Sequence, residues 1–155
     1  MSKSLRRVAR ALDEAGLPDT ILEAGDARTA ELAATACGCS VDQIVKSIIF
    51  CGDSSGAIRL FLTAGGNRIC VEKASQLAGE SLGRADANLV RSVTGFAIGG
   101  VSPIGHLSPS PTWLDPRLLD FEIVWAAAGT PRHVYSIAPL TLMCLTHAQA
   151  AEFIE

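Results

Sequence analysis

The chain has 155 residues, 48% of them hydrophobic and 19% charged, with a formal net charge of −3. That length suits one domain and can bury roughly 68–70% of its unfolded surface, so a core forms without disulfide staples. The apolar fraction and low net charge exclude intrinsic disorder, and a sequence pI of about 5.6 excludes a nucleic-acid coating protein that works through a global basic field. A local basic patch is not excluded.

From the N-terminus, Ser4 to Ala15 reads as a helix with Leu5, Val8, Ala9 and Leu12 on one face. Lys3, Arg6, Arg7 and Arg10 hold four of the 13 basic residues ahead of the first acid, Asp13. This is either a solvated helix face or a contact for a phosphate backbone. The start MSKSLRRVARALDEAG has no apolar signal segment, so a cytoplasmic location with reduced thiols is expected for the five cysteines. Cys37 and Cys39 lack a second ligand pair at zinc-finger spacing and read as small apolar side chains.

Asp26 and Thr29 are candidate caps for an alanine-rich helix through Ala36, which Gly38 can close in a left-handed conformation. Gln43–Cys51 reads as a buried strand, Gly52–Gly56 as a turn, and Ala57–Thr63 as the returning strand of a hairpin. Val71–Leu77 and Asp86–Thr94 follow as helices, the second capped by Asp86 and stopped by Gly95. Gly99–His106 is too rich in Gly and Pro for a regular element. Phe121–Ala127 and His133–Ile137 read as strands around the turn Gly129-Thr130-Pro131, and Pro139 opens a short helix, Leu140–Leu145. Ser92–Leu114 and His133–Ala151 lack formal charge, but their Gly, Pro and polar residues mark the interior of a domain rather than a membrane span. No repeat or linker divides the chain, so residues 1–155 are expected to form a single α+β domain, a mixed, barrel-like sheet with helices around it.

Chemistry concentrates at two places. Lys46 shares an alternation face with Ile44, Ile48 and Phe50. Desolvating its ammonium costs several kcal/mol unless it is paired, so it needs a partner, a wetter face or a task. Ser47 beside it, on the other face, reads as a structural hydroxyl. Asp115 is a turn or cap residue, or else a partner for Lys46. The second place is Gly99-Gly100-Val101-Ser102-Pro103-Ile104-Gly105-His106. Consecutive glycines can turn several amides toward one point and make a nest for an oxyanion or a phosphate. No GxxxxGK[ST] pattern is present, so a nucleotide P-loop is not indicated. His106 is the titratable group of that loop. His133 can reach a cleft beyond the Gly129 turn, and His147 reads as a surface or capping side chain.

These features, in this order, resemble the YbaK/prolyl-tRNA-synthetase-associated family of aminoacyl-tRNA deacylases. The resemblance runs from about Thr20 to Leu145 and rests on TAELAATACG (Thr29–Gly38), QIVKSIIF (Gln43–Phe50), GGVSPIGH (Gly99–His106), LDPRLLD (Leu114–Asp120) and AAAGTPRHVYSIAP (Ala126–Pro139). It implies hydrolysis of the ester of a mischarged aminoacyl-tRNA by a free-standing editor, acting on tRNA(Pro) or a related tRNA that carries a small amino acid. No cofactor and no metal are implied; the partners are aminoacyl-tRNA and an aminoacyl-tRNA synthetase. Lys46 matches the family's functional lysine, and Gly99–Pro103 matches its GxxxP substrate loop. The resemblance therefore assigns catalysis to Lys46 and to the loop at Gly100, Val101 and Ser102. Substrate binding is expected of Gly99, Pro103, Ser47, His106, His133 and Gly129; Arg6, Arg7 and Arg10 lie ahead of the resemblance, and their clustered charge on the first helix makes them the candidate tRNA contact. Ser47 after the lysine looks more like the YbaK branch than the alanine-specific branch. The alternatives are a non-catalytic module that binds tRNA or a synthetase through the same pocket, and a small-molecule esterase. The absence of a GxSxG elbow or a Cys–His signature argues against the esterase.

Overall fold

The computed structural model describes residues 2–155. Helix α1 (Lys3–Glu14) is capped by the Ser2 hydroxyl, which accepts from the Leu5 amide, and it buries Leu5, Val8 and Leu12. After the short strand β1 (Leu22–Glu23) comes α2 (Ala30–Cys37), with Thr29 at its N-cap and Gly38 left-handed at its C-cap, as the sequence indicated. The hairpin is β2 (Ile44–Gly52) and β3 (Ile58–Ala64). Helix α3 (Val71–Ala78), strand β4 (Leu82–Arg84) and helix α4 (Ala87–Thr94) follow, the last capped by Asp86 and closed by Gly95. The C-terminal part holds β5 (Thr112–Leu114), β6 (Val124–Ala127), β7 (His133–Ile137), α5 (Pro139–Thr146) and β8 (Gln149–Ala150).

The strands join in one mixed sheet of order β1-β7-β6-β2-β3-β5-β8, with β4 added to the far end of β2. The pairs β2–β3, β2–β4, β6–β7 and β1–β7 are antiparallel, whereas β2–β6, β3–β5 and β5–β8 are parallel. The α+β class and the mixed sheet agree with the sequence; the order runs linearly from β1 to β8. Phe121–Ile123 lies outside β6, so that strand is shorter than the hydrophobic run suggested.

Alternation along β2 divides the interior. Val45, with Ile49 and Cys51, joins the main core, which also takes Leu5, Val8 and Leu12 of α1, Leu60, Leu62, Val90 and Tyr135. Ile48 and Phe50 pack on the other face around Phe61, which stacks on Trp113 with ring centroids 4.9 Å apart. Ile44 meets Ala33 and Ala34 of α2. Burying these side chains contributes roughly 1.5–3 kcal/mol each and fixes the register of β2, hence the direction of Lys46. Among the described residues no helix is long and apolar enough to cross a membrane.

Candidate active site

A cavity of about 590 Å³ opens where β2 loses its neighbours. Strand β6 pairs β2 only at Ile44 and Val45, and β4 pairs it only from Phe50 onward. Into the gap between them come Lys46, Ser47, Ile48 and Ile49 of β2, Arg84 of β4 and Ala85 just after it, and Ala126 and Ala127 from β6. The glycine loop supplies Ile98, Gly99 and Val101, and the β6–β7 turn supplies Thr130 and His133. Helix α2 and the segment before it supply Arg28, Thr29, Glu31 and Ala33. The volume is ordinary for a small-ligand site and large enough for an aminoacyl nucleoside.

Lys46 is half-buried, and its Nζ donates to the Asn67 carbonyl. Burial pulls its amine below the ordinary lysine value; Glu31 opposes this and Arg68 adds to it. It makes no ion pair among the described residues. Asp115 reaches it only indirectly. That carboxylate is buried and accepts from the Ala64 amide at 3.1 Å, the Asn67 side chain at 2.9 Å and the Arg117 amide at 3.0 Å. Its two sequence roles therefore merge: it caps the turn Pro116–Asp120 and holds the residue that holds Lys46. Ser47 lines the cavity, but its Oγ is buried behind the wall and has no hydrogen-bond partner among the described residues.

His133 lines the cavity, and its Nδ1 lies 2.7 Å from Thr130 Oγ1. That oxygen already accepts the Arg132 amide at 3.1 Å, so its own proton is free to go to Nδ1. When that proton goes to Nδ1, the imidazole proton sits on Nε2, which is then a donor.

The structure corrects several expectations for the loop. The Gly100 amide donates to the Ala97 carbonyl at 3.1 Å, so it is not a free oxyanion donor. Gly100 is instead a close-packing residue, since a Cβ there would meet the Thr130 backbone at 2.9 Å. Ser102 is fully buried, its hydroxyl accepts from the Ile104 amide at 3.2 Å, and Pro103 is buried beside it outside the lining. Gly129 also lies outside the lining, backed against the Ser4 backbone, where an added Cβ would approach the Ser4 oxygen to 2.7 Å. Gly99 and Val101 face the cavity, and their amides make no hydrogen bond among the described residues.

His106 is turned away from this cavity. It lines a second one, of about 410 Å³, with Pro103, Glu14 and His147. Its Nε2 meets the Ser102 carbonyl, and its ring packs edge-on to Phe96. Burial pulls the imidazole below its usual range. The helix of arginines divides as well. The Arg7 guanidinium binds the Gly95 and Gly105 carbonyls and covers the Phe96 ring at 4.7 Å, so it is a structural brace and not a free phosphate contact. Arg6 and Arg10 stay exposed and outside the cavity lining.

Sequence reasoning missed Arg84, Asn67 and Thr130. Arg84 is exposed at the cavity and makes no ion pair among the described residues. Its strand spans only Leu82–Arg84, too short for an alternation signal. Arg28, at the opposite wall, is held by Asp26 through two bonds of 2.9 Å. Burial raises the half-buried Cys37 thiol to about 11, with Cys39 adding to the effect, as expected of a structural cysteine. Among the described residues no cluster of three His, Cys, Asp or Glu could hold a metal ion.

Comparison with known proteins shows which family and fold the chain resembles. The model of the aminoacyl-tRNA editing domain matches residues 24–145. An uncharacterized protein of Bacillus subtilis (strain 168) is 33% identical over 114 residues, 74% of this chain and 72% of the relative. A protein of Enterococcus faecalis (strain ATCC 700802 / V583), named "Putative Cys-tRNA(Pro)/Cys-tRNA(Cys) deacylase EbsC", is 27% identical over 131 residues, 82% of this chain and 77% of the relative. A crystal structure described as "a putative trans-editing enzyme for prolyl tRNA synthetase" superposes with a TM-score of 0.92 at 46% identity, covering 100% of this chain and 99% of that one. The chain belongs to the aminoacyl-tRNA editing domain family.

Proposed function

We propose that this protein hydrolyses the ester of a mischarged aminoacyl-tRNA in trans, removing a small amino acid from tRNA(Pro) or a related tRNA. The observation that supports the reading is that Lys46 lines one cavity together with Gly99 and Val101, whose amides make no hydrogen bond among the described residues. A carbonyl held between them meets backbone donors where negative charge develops in the tetrahedral intermediate. One such donor is worth roughly 10²–10³ in rate.

In this mechanism water attacks the ester carbonyl, its proton leaves to the ribose or to bulk water, and the carbon–oxygen bond to the ribose breaks. Lys46, freed from the Asn67 carbonyl, holds a ribose or phosphate oxygen or adds positive charge beside the oxyanion. His133 Nε2 donates to the substrate from the opposite wall. Arg84, at the cavity and without an ion pair among the described residues, meets the phosphate of the acceptor end.

The test is a deacylation panel with tRNA(Pro) charged with Cys, Ala, Ser or Thr, run beside Lys46→Met. Release of one or more of these amino acids by the wild type, and loss of that release in the variant, supports the reading. A protein that binds the charged tRNA and protects its ester is a binding module, and that outcome overturns it.

A further inference from the structure

The gap in the sheet has a hydrogen-bonding pattern of its own. Along β3, the Leu60 amide donates to the Pro111 carbonyl and the Leu62 carbonyl accepts from the Asp115 amide, so these residues turn their peptide groups toward β5. Phe61 and Thr63 therefore face β2, opposite Ile48 and Lys46. The same alternation points the peptide groups of Ser47 and Ile49 away from β3, into the gap. Strand β6 stops pairing at Val45, and β4 starts at Phe50, opposite Arg84. An antiparallel ladder with that register occupies the Ile49 carbonyl but leaves the Ser47 carbonyl and the Ile49 amide open. Both residues line the cavity.

We propose that this open edge is an adenine subsite, which holds the base of the 3′-terminal nucleotide that carries the ester. The inference rests on the aminoacyl-tRNA reading above. A carbonyl at one position of an extended strand and an amide two residues on present an acceptor and a donor on one line. The Watson–Crick edge of adenine is complementary to it: the exocyclic N6 amine donates to the Ser47 carbonyl, and N1 accepts from the Ile49 amide. An α-ammonium group has donors only and leaves the Ile49 amide unmet, so the edge suits the base better than the amino acid. Apolar walls suit the faces of a flat base, with Ala85 and Val90 near β4, Ala126 and Ala127 near β6, and Val101 and the 62% exposed Ile98 on the loop. Backbone groups read the base here, which is why no side-chain motif announces it.

The test changes the base and leaves the protein intact. tRNA is prepared with its terminal adenosine replaced by purine riboside, which lacks N6, by 1-deazaadenosine, which lacks the N1 acceptor, or by 7-deazaadenosine, and each is charged chemically. The first two should lose about tenfold or more in kcat/KM, because each leaves a buried peptide group unpaired, and the third should match the unmodified tRNA. Equal rates for all four, or an equal loss with 7-deazaadenosine, overturn the subsite. Failure to hydrolyse the unmodified substrate overturns the functional reading instead. The subsite then stands or falls on amide NMR with AMP, in which the Ile48 signal (the amide of the Ser47 carbonyl's peptide unit) and the Ile49 signal must shift, and the Ile48 signal must shift less with purine riboside 5′-monophosphate.

Discussion

The Lys46 amine and the Asp115 carboxylate are joined through Asn67, whose carbonyl accepts from Nζ and whose side-chain amide donates to Asp115 at 2.9 Å. A direct ion pair would lock the amine. A neutral carbonyl leaves it able to exchange partners, while the buried carboxylate keeps Asn67 in place. Half-burial without a counter-ion disfavours the charged amine, and that cost to the folded state is present below its lowered value and relieved as pH rises through it. Lys46→Met, which keeps the stem and removes the charge, is therefore expected to hold or raise the melting temperature while deacylation falls by roughly 10²-fold or more. Thermal melts beside single-turnover hydrolysis check this. An active variant would remove Lys46 from the mechanism.

Gly100 and Thr130 make the backbone contact that sets the glycine loop against the β6–β7 turn, and the same turn orients His133 through Thr130. An Ala at position 100 drives its methyl into the Thr130 backbone at 2.9 Å, where no flexible side chain can yield. The expected loss is about 1–3 kcal/mol of stability, with a fall in kcat as His133 and the Val101 amide separate. Gly99→Ala meets no atom within 4 Å but strains a backbone at φ 98°, so it separates strain from collision. Urea unfolding of the two variants, with equal midpoints, would disprove the packing argument.

The main elements and their caps were legible in the sequence because each carries a strong local signal: Thr29 and Gly38 around α2, Asp86 and Gly95 around α4, and an apolar run on each side of Gly52–Gly56. The strands that escaped, such as Leu82–Arg84 and Gln149–Ala150, are too short to show a period and exist only because a neighbour pairs them. Lys46 stood out because a charge within an apolar strand conflicts with burial. The split of the loop, with Gly99 and Val101 at the cavity and His106 behind it, depends on the Gly100 amide closing on Ala97, a tertiary choice without a composition signal. Arg7 looked like its neighbours Arg6 and Arg10; only the carbonyls of Gly95 and Gly105, far along the chain, tell them apart.

His106 gives a pH dependence of stability. Nε2 faces the Ser102 carbonyl and so bears the proton of the neutral ring, while burial, helped by the nearby Arg7 charge, holds the group below its ordinary 6.5. A folded-state value below the unfolded one means that the unfolded chain takes up the proton first as pH falls. The contribution to stability is complete above 6.5 and is lost from there down through the folded value. The melting temperature should fall on acidification below that point, and His106→Gln, which cannot titrate, should flatten the decline. An unaltered decline in the variant would assign it to other groups.

The arginines separate brace from contact. Arg7→Met leaves the Gly95 and Gly105 carbonyls without their guanidinium and removes the cover over Phe96, at an expected cost of about 1–3 kcal/mol. Arg6→Glu and Arg10→Glu, on exposed side chains, should leave stability within about 0.5 kcal/mol. Their effect on tRNA affinity decides whether that helix face touches the phosphate backbone. Arg84 lies at the cavity itself, so Arg84→Gln should weaken tRNA binding and lower the slope of log affinity against log salt by about one, the mark of one lost phosphate contact. Filter binding over a salt series measures both quantities. A parallel shift with unchanged slope would mean that Arg84 acts on the shape of the cavity and not on a phosphate.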